Sequence, residues 1–296
     1  MAEEYPIWSL PDDAPEDIEQ MGSKEKFWFR RDEARWLFKY PRENSGEHWA
    51  EKIVAELAVV LQIPAARVEF AEYRGRQGSA SLSFADRTAG RALVHGNEVL
   101  AALHEDYDRN KKRKQSDHHL QRIIEAVSRV FGGKRRPALE RLAEYVALDA
   151  LVGNVDRHHE NWGLLLYIDE NKVVRFEVAP SFDHASSLGR ELRPERCVAL
   201  LHDPKGVSRY IAKGSGGIYL TPADPKGASP LFLAREAKRL YPDYFSPVLK
   251  RIADLDISSV RGIINRIPED LMQREHRVFA ESFILKARSM LLEDAA

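Results

Sequence analysis

The stretch Gly153-Asn154-Val155-Asp156-Arg157-His158-His159-Glu160-Asn161 gathers carboxylates, amides and imidazoles in nine consecutive positions. Asp156 and Asn161 stand five apart. A carboxylate there can take the proton of an acceptor hydroxyl, and the amide oxygen can hold a magnesium ion, a pairing that phosphoryl-transfer enzymes use at this spacing. A second hard oxygen donor, Asp183, ends the run Ala179-Pro180-Ser181-Phe182-Asp183. Magnesium favours such a set: a few protein oxygens, with water and phosphate filling the other octahedral positions. Taken alone, the nonapeptide reads equally well as capping and turn residues. A zinc reading of His158 and His159 is weaker, because adjacent histidines diverge and no third ligand follows at a zinc-protease spacing.

The front of the chain offers groups that suit the other half of a nucleotide site. Gly22-Ser23-Lys24-Glu25-Lys26 enters an aromatic strand, where backbone N–H groups and lysines can approach phosphate oxygens. Lys39 follows Trp36-Leu37-Phe38 and, by strand alternation, faces away from the two aromatics. A carboxylate from the next helix would hold it toward a triphosphate. Glu51 and Glu56 both flank that helix's apolar stripe, and periodicity does not choose between them.

The elements that must carry these groups follow from pattern. Phe27-Trp28-Phe29 and Trp36-Leu37-Phe38 read as short strands around a charged turn. Ile53, Val54, Leu57, Val60 and Leu61 recur at helical spacing over residues 47–61, and Pro64 closes the helix. Residues 68–70 and 80–84 read as further strands. Leu139, Leu142, Val146 and Ala150 give one face of a helix that ends at Gly153-Asn154. A ribbon follows, residues 162–168 and 173–178 around Asp169-Glu170-Asn171, and its matched strands should return the chain so that Asp183 lies near Asn161. From 231 to 292 the pattern is helical, with breaks expected at Pro242, Pro247 and Pro268. Residues 1–20, acidic and carrying Pro6, Pro11 and Pro15, read as an irregular arm.

Composition bounds the rest. The 296 residues are 44% hydrophobic and 31% charged, enough to bury a core and to exclude wholesale disorder. Lys+Arg 45 against Asp+Glu 46 leaves net charge −1, so neither nucleic acid nor an anionic membrane is an expected partner. The basic run Lys111-Lys112-Arg113-Lys114 beside Asp106, Asp108 and Asp117 reads as a solvated loop. A lone cysteine, Cys197, rules out an internal disulfide and a cysteine-rich zinc site. With no membrane-length apolar run and no secretory n-region, a soluble cytoplasmic protein is expected.

Gly22–Lys26, Trp36–Lys39, Asn154–Asn161 and Ala179–Asp183, in this order, resemble the HipA-like family of serine/threonine kinases over roughly residues 20–290. The resemblance implies a two-lobed, protein-kinase-like α+β fold. Its divisions would be the arm at 1–20, a β-rich lobe at 21–85 and a mainly helical lobe at 86–296. By motif, Asp156 would be the catalytic base and His158 a catalytic-loop residue, with Asn161 and Asp183 holding Mg²⁺. ATP would be bound by Lys39 and by a phosphate loop containing Gly22, Ser23, Lys24 and Lys26. The family's carboxylate falls best on Glu51, and the adenine hinge near residues 81–84.

About twenty residues precede Gly22, so the chain resembles the family's short, kinase-core-only form. The Asp17-Ile18-Glu19-Gln20 stretch before it lacks the serine that members often autophosphorylate. The implied function is ATP- and Mg²⁺-dependent phosphorylation of a protein serine or threonine, by a toxin, an effector or an autophosphorylating kinase. An antitoxin-like protein is the implied partner. Phosphorylation of a small molecule or lipid, and an inactive nucleotide-binding module acting through a partner, are the alternatives. Residues 184–220 would hold the activation segment. Gly214-Ser215-Gly216-Gly217 suggests mobility there, and hydroxyls such as Ser186, Ser187 and Ser208 are candidate self-phosphorylation sites.

Overall fold

The computed structural model describes residues 3–18, 25–85 and 90–293. In chain order the first elements are β1 (Ile7–Leu10), β2 (Asp17–Ile18), β3 (Lys26–Arg31), β4 (Ala34–Lys39), α1 (Glu47–Val60), β5 (Val68–Tyr73) and β6 (Arg76–Leu82). Then come β7 (Arg91–His95), α2 (Gly96–Leu103), α3 (Leu120–Phe131), α4 (Arg135–Val152), β8 (Gly163–Ile168) and β9 (Val174–Val178). Six helices complete the chain: α5 (Pro194–His202), α6 (Gly206–Lys213), α7 (Pro230–Leu240), α8 (Pro242–Ala253), α9 (Ile257–Asn265) and α10 (Arg274–Leu292).

These elements form two compact units, neither continuous in sequence. One comprises Met1–Phe84, Asp183–Val207 and Leu255–Leu285; the other comprises Ala85–Phe182, Ser208–Asp254 and Lys286–Ala296.

The first unit is built on a six-stranded sheet in the order β1-β5-β6-β4-β3-β2. Asp32 and Glu33 both adopt positive φ (50° and 63°), the geometry of a tight turn whose twist suits antiparallel strands, and they join β3 to β4. Alternation then puts Phe27, Phe29, Trp36 and Phe38 on one buried face with Tyr73 and Ala80. Against the opposite side of β5 and β6 packs α1, burying Trp49, Ile53, Val54 and Leu57. Val60, expected on that stripe, is 44% exposed at the helix end.

The N-terminal segment departs from the irregular arm expected of it. β1 pairs parallel with β5, Ile7 opposite Phe70, and β2 pairs with β3. Pro6 and Pro11 bracket β1 without interrupting it, and an edge strand tolerates proline at its ends. Tyr5 and Leu10 are buried, which outweighs the acidic composition around them.

In the second unit α4 is the central helix, packed by α3, α7 and α8. A three-stranded antiparallel sheet, β7-β8-β9, contains the expected ribbon and a strand, β7, that the sequence pattern did not reveal. The expected break at Pro247 does not occur. Pro247 lies inside α8, where burial of Phe245, Val248 and Ile252 outweighs a disruption of about 3 kcal/mol. Lys111, Lys112, Arg113 and Lys114 are all exposed. Among the described residues, no helix is long and apolar enough to cross a membrane.

Candidate active site

Within the first unit, three segments distant in sequence meet at Lys39. This last residue of β4 points to the face that α1 covers, and its ammonium donates to Glu51 Oε1 at 2.9 Å. It also donates to Asp183 Oδ1 at 3.2 Å. Burial opposes the charge on Lys39, but the carboxylates of Asp183 and Glu51 outweigh it and raise the pKa above the ordinary lysine value. Glu51 is itself fixed from behind: the hydroxyl of Ser79 donates to Oε2 at 2.9 Å, and that of Ser81 to Oε1 at 3.4 Å. Asp183 takes a positive φ of 58°, uncommon for a residue with a side chain and a feature of constrained functional positions.

The two glutamates left open by periodicity have separate partners. Glu51 meets Lys39, whereas Glu56 meets Lys52, whose ammonium also donates to Glu69 and to the Val68 carbonyl. Lys26 opens β3 opposite Lys39 across the strand pair. Gly22, Ser23 and Lys24 lie outside the described residues.

In the second unit the Asp156–Asn161 loop is built largely from its own backbone. Gly153 caps α4 in the left-handed conformation (φ 67°, ψ 38°), the usual way for a chain to leave a helix sharply. Asn154 then donates its side-chain amide to Asp149 and accepts the Asp156 N–H at 3.2 Å. The Asp156 carbonyl accepts from the His158 N–H at 2.8 Å and from Asn161 Nδ2 at 2.7 Å. This leaves the Asp156 carboxylate exposed, at 55% of its side-chain surface. His158 is half-buried; its Nδ1 accepts the Glu160 N–H, and its Nε2 lies 4.0 Å from Asp156 Oδ1. His159 instead points inward and pairs with the Tyr107 hydroxyl at 2.7 Å.

Beneath the loop lies an ion pair that spacing alone did not single out. Arg157 grips Asp149 with two hydrogen bonds of 2.7 Å each, Nε to Oδ2 and Nη2 to Oδ1. The same guanidinium donates to the carbonyls of Asn161 and Phe182 and to the Ser181 hydroxyl. Both partners are buried, at 5% and 4% exposure. One arginine therefore ties the end of α4, the Asn161 turn and the segment returning from the ribbon. The ribbon's register makes that possible: Leu164 faces Val178, and the Ala179 N–H donates to the Gly163 carbonyl. The sequence carries one clue, a lone Asp inside the apolar run Ala147-Leu148-Asp149-Ala150-Leu151-Val152. A buried carboxylate in such a run needs a cation.

A second support also escaped the spacing argument. His118 Nδ1 donates to the Gly217 carbonyl at 2.8 Å, which leaves Nε2 to accept the Trp162 indole N–H at 3.0 Å. Burial pushes the His118 pKa down to about 3, opposed by the Gly217 bond, so the ring is neutral. Gly217 passes so close to the loop that a Cβ there would sit 2.6 Å from the His158 nitrogen. The Gly214–Gly217 stretch, expected to be mobile, is thus held, and Gly216 also donates to the Ala228 carbonyl. Ser186 and Ser187 are buried, a poor setting for phosphorylation.

The two residues expected to hold magnesium belong to different units, and each carries a hard oxygen donor. The Asn161 amide nitrogen is committed to the Asp156 carbonyl, which leaves the side-chain oxygen as the other polar atom of that amide. Asp183 supplies carboxylate oxygen. Both are hard donors of the kind Mg²⁺ takes, sparingly, together with phosphate oxygens. Among the described residues no cluster of three or more His, Cys, Asp or Glu side chains could hold a metal ion by itself.

Residues 19–211 match the HipA-like C-terminal domain, and the chain belongs to that family. Its fold is a kinase-like α+β fold with a curled β-sheet lobe and a helical lobe. The crystal structure of the Helicobacter pylori proinflammatory kinase CtkA shares it, with a TM-score of 0.76 at 17% identity, covering 94% of this chain and 92% of that one. In sequence, the serine/threonine-protein kinase CtkA of H. pylori is 24% identical over 147 residues, 50% of this chain. That match spans 43% of the relative's length. HipA of Shewanella oneidensis, solved with HipB and operator DNA, has a TM-score of 0.57 at 11% identity, covering 96% of this chain and 67% of that one.

Proposed function

We propose that this protein transfers the γ-phosphoryl group of ATP to a serine or threonine hydroxyl of a protein, in a Mg²⁺-dependent reaction. The observation that carries the reading is the Lys39 ammonium clamped between Glu51 and Asp183. A lysine fixed by a carboxylate from the neighbouring helix is the device that kinase-like folds use to grip phosphates. Membership of the HipA-like family supports phosphotransfer as the class of reaction.

Each residue then has a distinct task. Lys39 offsets charge on the α- and β-phosphates, and Glu51 keeps its ammonium aimed. Asn161 and Asp183 are the residues that would hold Mg²⁺, which when bound neutralises charge developing between the β- and γ-phosphates. Asp156 orients the acceptor hydroxyl and takes its proton as the oxygen attacks phosphorus, while the bond from the γ-phosphorus to the ADP oxygen breaks. The exposed position of Asp156 suits an acceptor presented by another macromolecule. Gly22, Ser23, Lys24 and Lys26 would complete the phosphate grip, and His158 would shape the loop around Asp156. The chain would work in the cytoplasm, and an antitoxin-like protein is the partner class that the likeness to HipA suggests.

Incubation with γ-labelled ATP, Mg²⁺ and a serine- and threonine-rich protein acceptor tests this. Label should reach hydroxyl residues with the wild type. Asp156→Asn should lower the rate about 10²–10⁴-fold, the usual worth of a positioned base, while nucleotide binding persists. Full transfer by folded Asp156→Asn and Asp183→Asn would remove the assignment.

A further inference from the structure

Strand β9 closes one side of the β7-β8-β9 sheet, and among the described residues no strand pairs with its outer side. The register shows which backbone groups face outward. The Ala179 N–H donates to Gly163 and the Asp169 N–H to Val173, and antiparallel hydrogen bonds recur at alternate residues. Residues 173, 175, 177 and 179 therefore bond toward β8, while the N–H and C=O groups of Val174, Phe176 and Val178 point away from it. The edge is also preformed. Asp169 Oδ1 accepts the Asn171 and Val173 N–H groups at 2.9 Å each, which braces the turn leading into β9.

An open edge of this kind is a template for another strand unless proline, a bulge or a charge turned into the sheet blunts it. β9 reads Val174-Arg175-Phe176-Glu177-Val178, contains no proline, and pairs with β8 residue for residue. Its apolar side chains are not covered either. Val174 is 53% exposed and Ile168, opposite it on β8, is 62% exposed, with Val173 and Phe176 exposed beside them.

The order of the five residues says what would cover them. About Phe176 the strand is symmetric in hydropathy and opposite in charge. With a second copy set antiparallel, Phe176 opposite Phe176, Val174 faces Val178 and Arg175 faces Glu177 on both sides of the two-fold axis. Opposite charges directly across such a pair are favourable, and like charges are unfavourable. Because alternate residues present the outward groups, the neighbouring registers lie two residues away. One puts Arg175 opposite Arg175, the other Glu177 opposite Glu177, so charge selects the central register. Within the chain Arg175 meets Asp169 and Glu177 meets Arg91, at partly exposed positions where an ion pair is worth little and competes weakly.

We propose that β9 is a self-association edge: two copies of this chain pair antiparallel through Val174–Val178 and join their three-stranded sheets across a two-fold axis. A five-residue strip falls well short of the standard interface of about 1,600 Å², so the dimer is weak and forms at high protein concentration. The proposal does not depend on the phosphotransfer reading.

The test is sedimentation velocity of the full chain at rising concentration, to about 1 mM, where even millimolar affinity populates a dimer. The wild type should pass from monomer to dimer and stop there. Arg175→Glu sets carboxylates against each other and should weaken the dimer at least about ten-fold; Glu177→Arg should do the same with guanidinium groups. Mixed in equal amounts, these two single variants should pair with each other, since every charged position then meets its opposite. The double variant Arg175→Glu, Glu177→Arg should self-associate as the wild type does. Phe176→Pro removes an outward N–H and no bond to β8, and should be monomeric. A wild type that stays monomeric throughout overturns the proposal and leaves an extended segment of another protein as the occupant of the edge. Failure of the mixed variants to pair, or undiminished association of folded Phe176→Pro, overturns it as well. If Phe176→Pro does not fold, the charge-exchanged mixture decides. None of these readouts involves phosphate transfer, so loss of this edge and loss of the kinase reading are distinguishable.

Discussion

The Asp156–Asn161 loop and the Lys39 cluster are held by different kinds of bond. The loop is shaped by its own peptide groups and sits on one buried arginine–aspartate fork. The Lys39 cluster has no local frame: β4, α1 and the segment beginning at Asp183 each bring one charged group, and ion pairs join them. The contrast teaches where each is vulnerable. Loop geometry should fail when its buried support is broken, whereas the cluster should lose function before it loses stability, because each carboxylate leaves the other in place.

The strongest way to break that comparison is at the fork. Asp149→Leu leaves the Arg157 guanidinium buried without its counter-charge and should destabilise the protein by about 3–5 kcal/mol, read from urea denaturation. Asp149→Leu combined with Arg157→Met should recover most of that loss. If the double variant is as unstable as the sum of the singles, the fork is not the loop's support.

The matching change in the other unit is Glu51→Gln. Losing a hydrogen bond to a charged group costs about 1.5–3 kcal/mol, so kcat/KM for ATP should fall about 10–100-fold with only a small change in Tm. Lys39→Arg should not substitute for lysine, since a planar guanidinium cannot occupy the same point between two carboxylates.

Each unit also contains a buried histidine with a lowered pKa, which gives a pH test. Burial pushes His48 down to about 4 and His118 down to about 3. Above pH 6.5 both rings are neutral whether folded or unfolded and contribute no pH dependence. As pH falls below 6.5 the unfolded chain takes up protons that the folded chain refuses, so stability declines. Each histidine should cost about 1.4 kcal/mol per pH unit, or about 2 kcal/mol by pH 5. His118→Gln and His48→Gln should each remove one share of that slope, measured by denaturation at pH 7 and pH 5.

The smallest expected effect sharpens the choice between glutamates. Glu56→Gln should leave phosphate transfer unchanged and cost under about 1 kcal/mol, because Lys52 retains Glu69 and the Val68 carbonyl. A large drop in activity for this variant would undo the distinction between Glu51 and Glu56.

Legibility in the sequence follows the same division. Gly153, Asp156 and Asn161 were readable because a helix cap, a loop and a fixed spacing are local properties. Strands β3 and β4 and the ribbon β8–β9 were readable because alternation and turn residues are local as well. Strand β1 was not: its pairing with β5 spans some sixty residues, and nothing within Ile7–Leu10 announces it. Arg157 was visible only as one more charge in a polar loop. Its function depends on Asp149 and Ser181 arriving from either side.

What the amino-acid order determined by itself was the set of local frames: where the helices cap, which strand faces are apolar, and which polar groups share one loop. The tertiary structure decided which charges pair. Glu51 and Glu56 flank the same helical stripe, and only the placement of β4 and β6 against α1 gives one of them Lys39 and two serine hydroxyls. Periodicity describes a single element, whereas the energy of a buried ion pair depends on distance and solvent exclusion between elements, which are set when the sheet and helix pack.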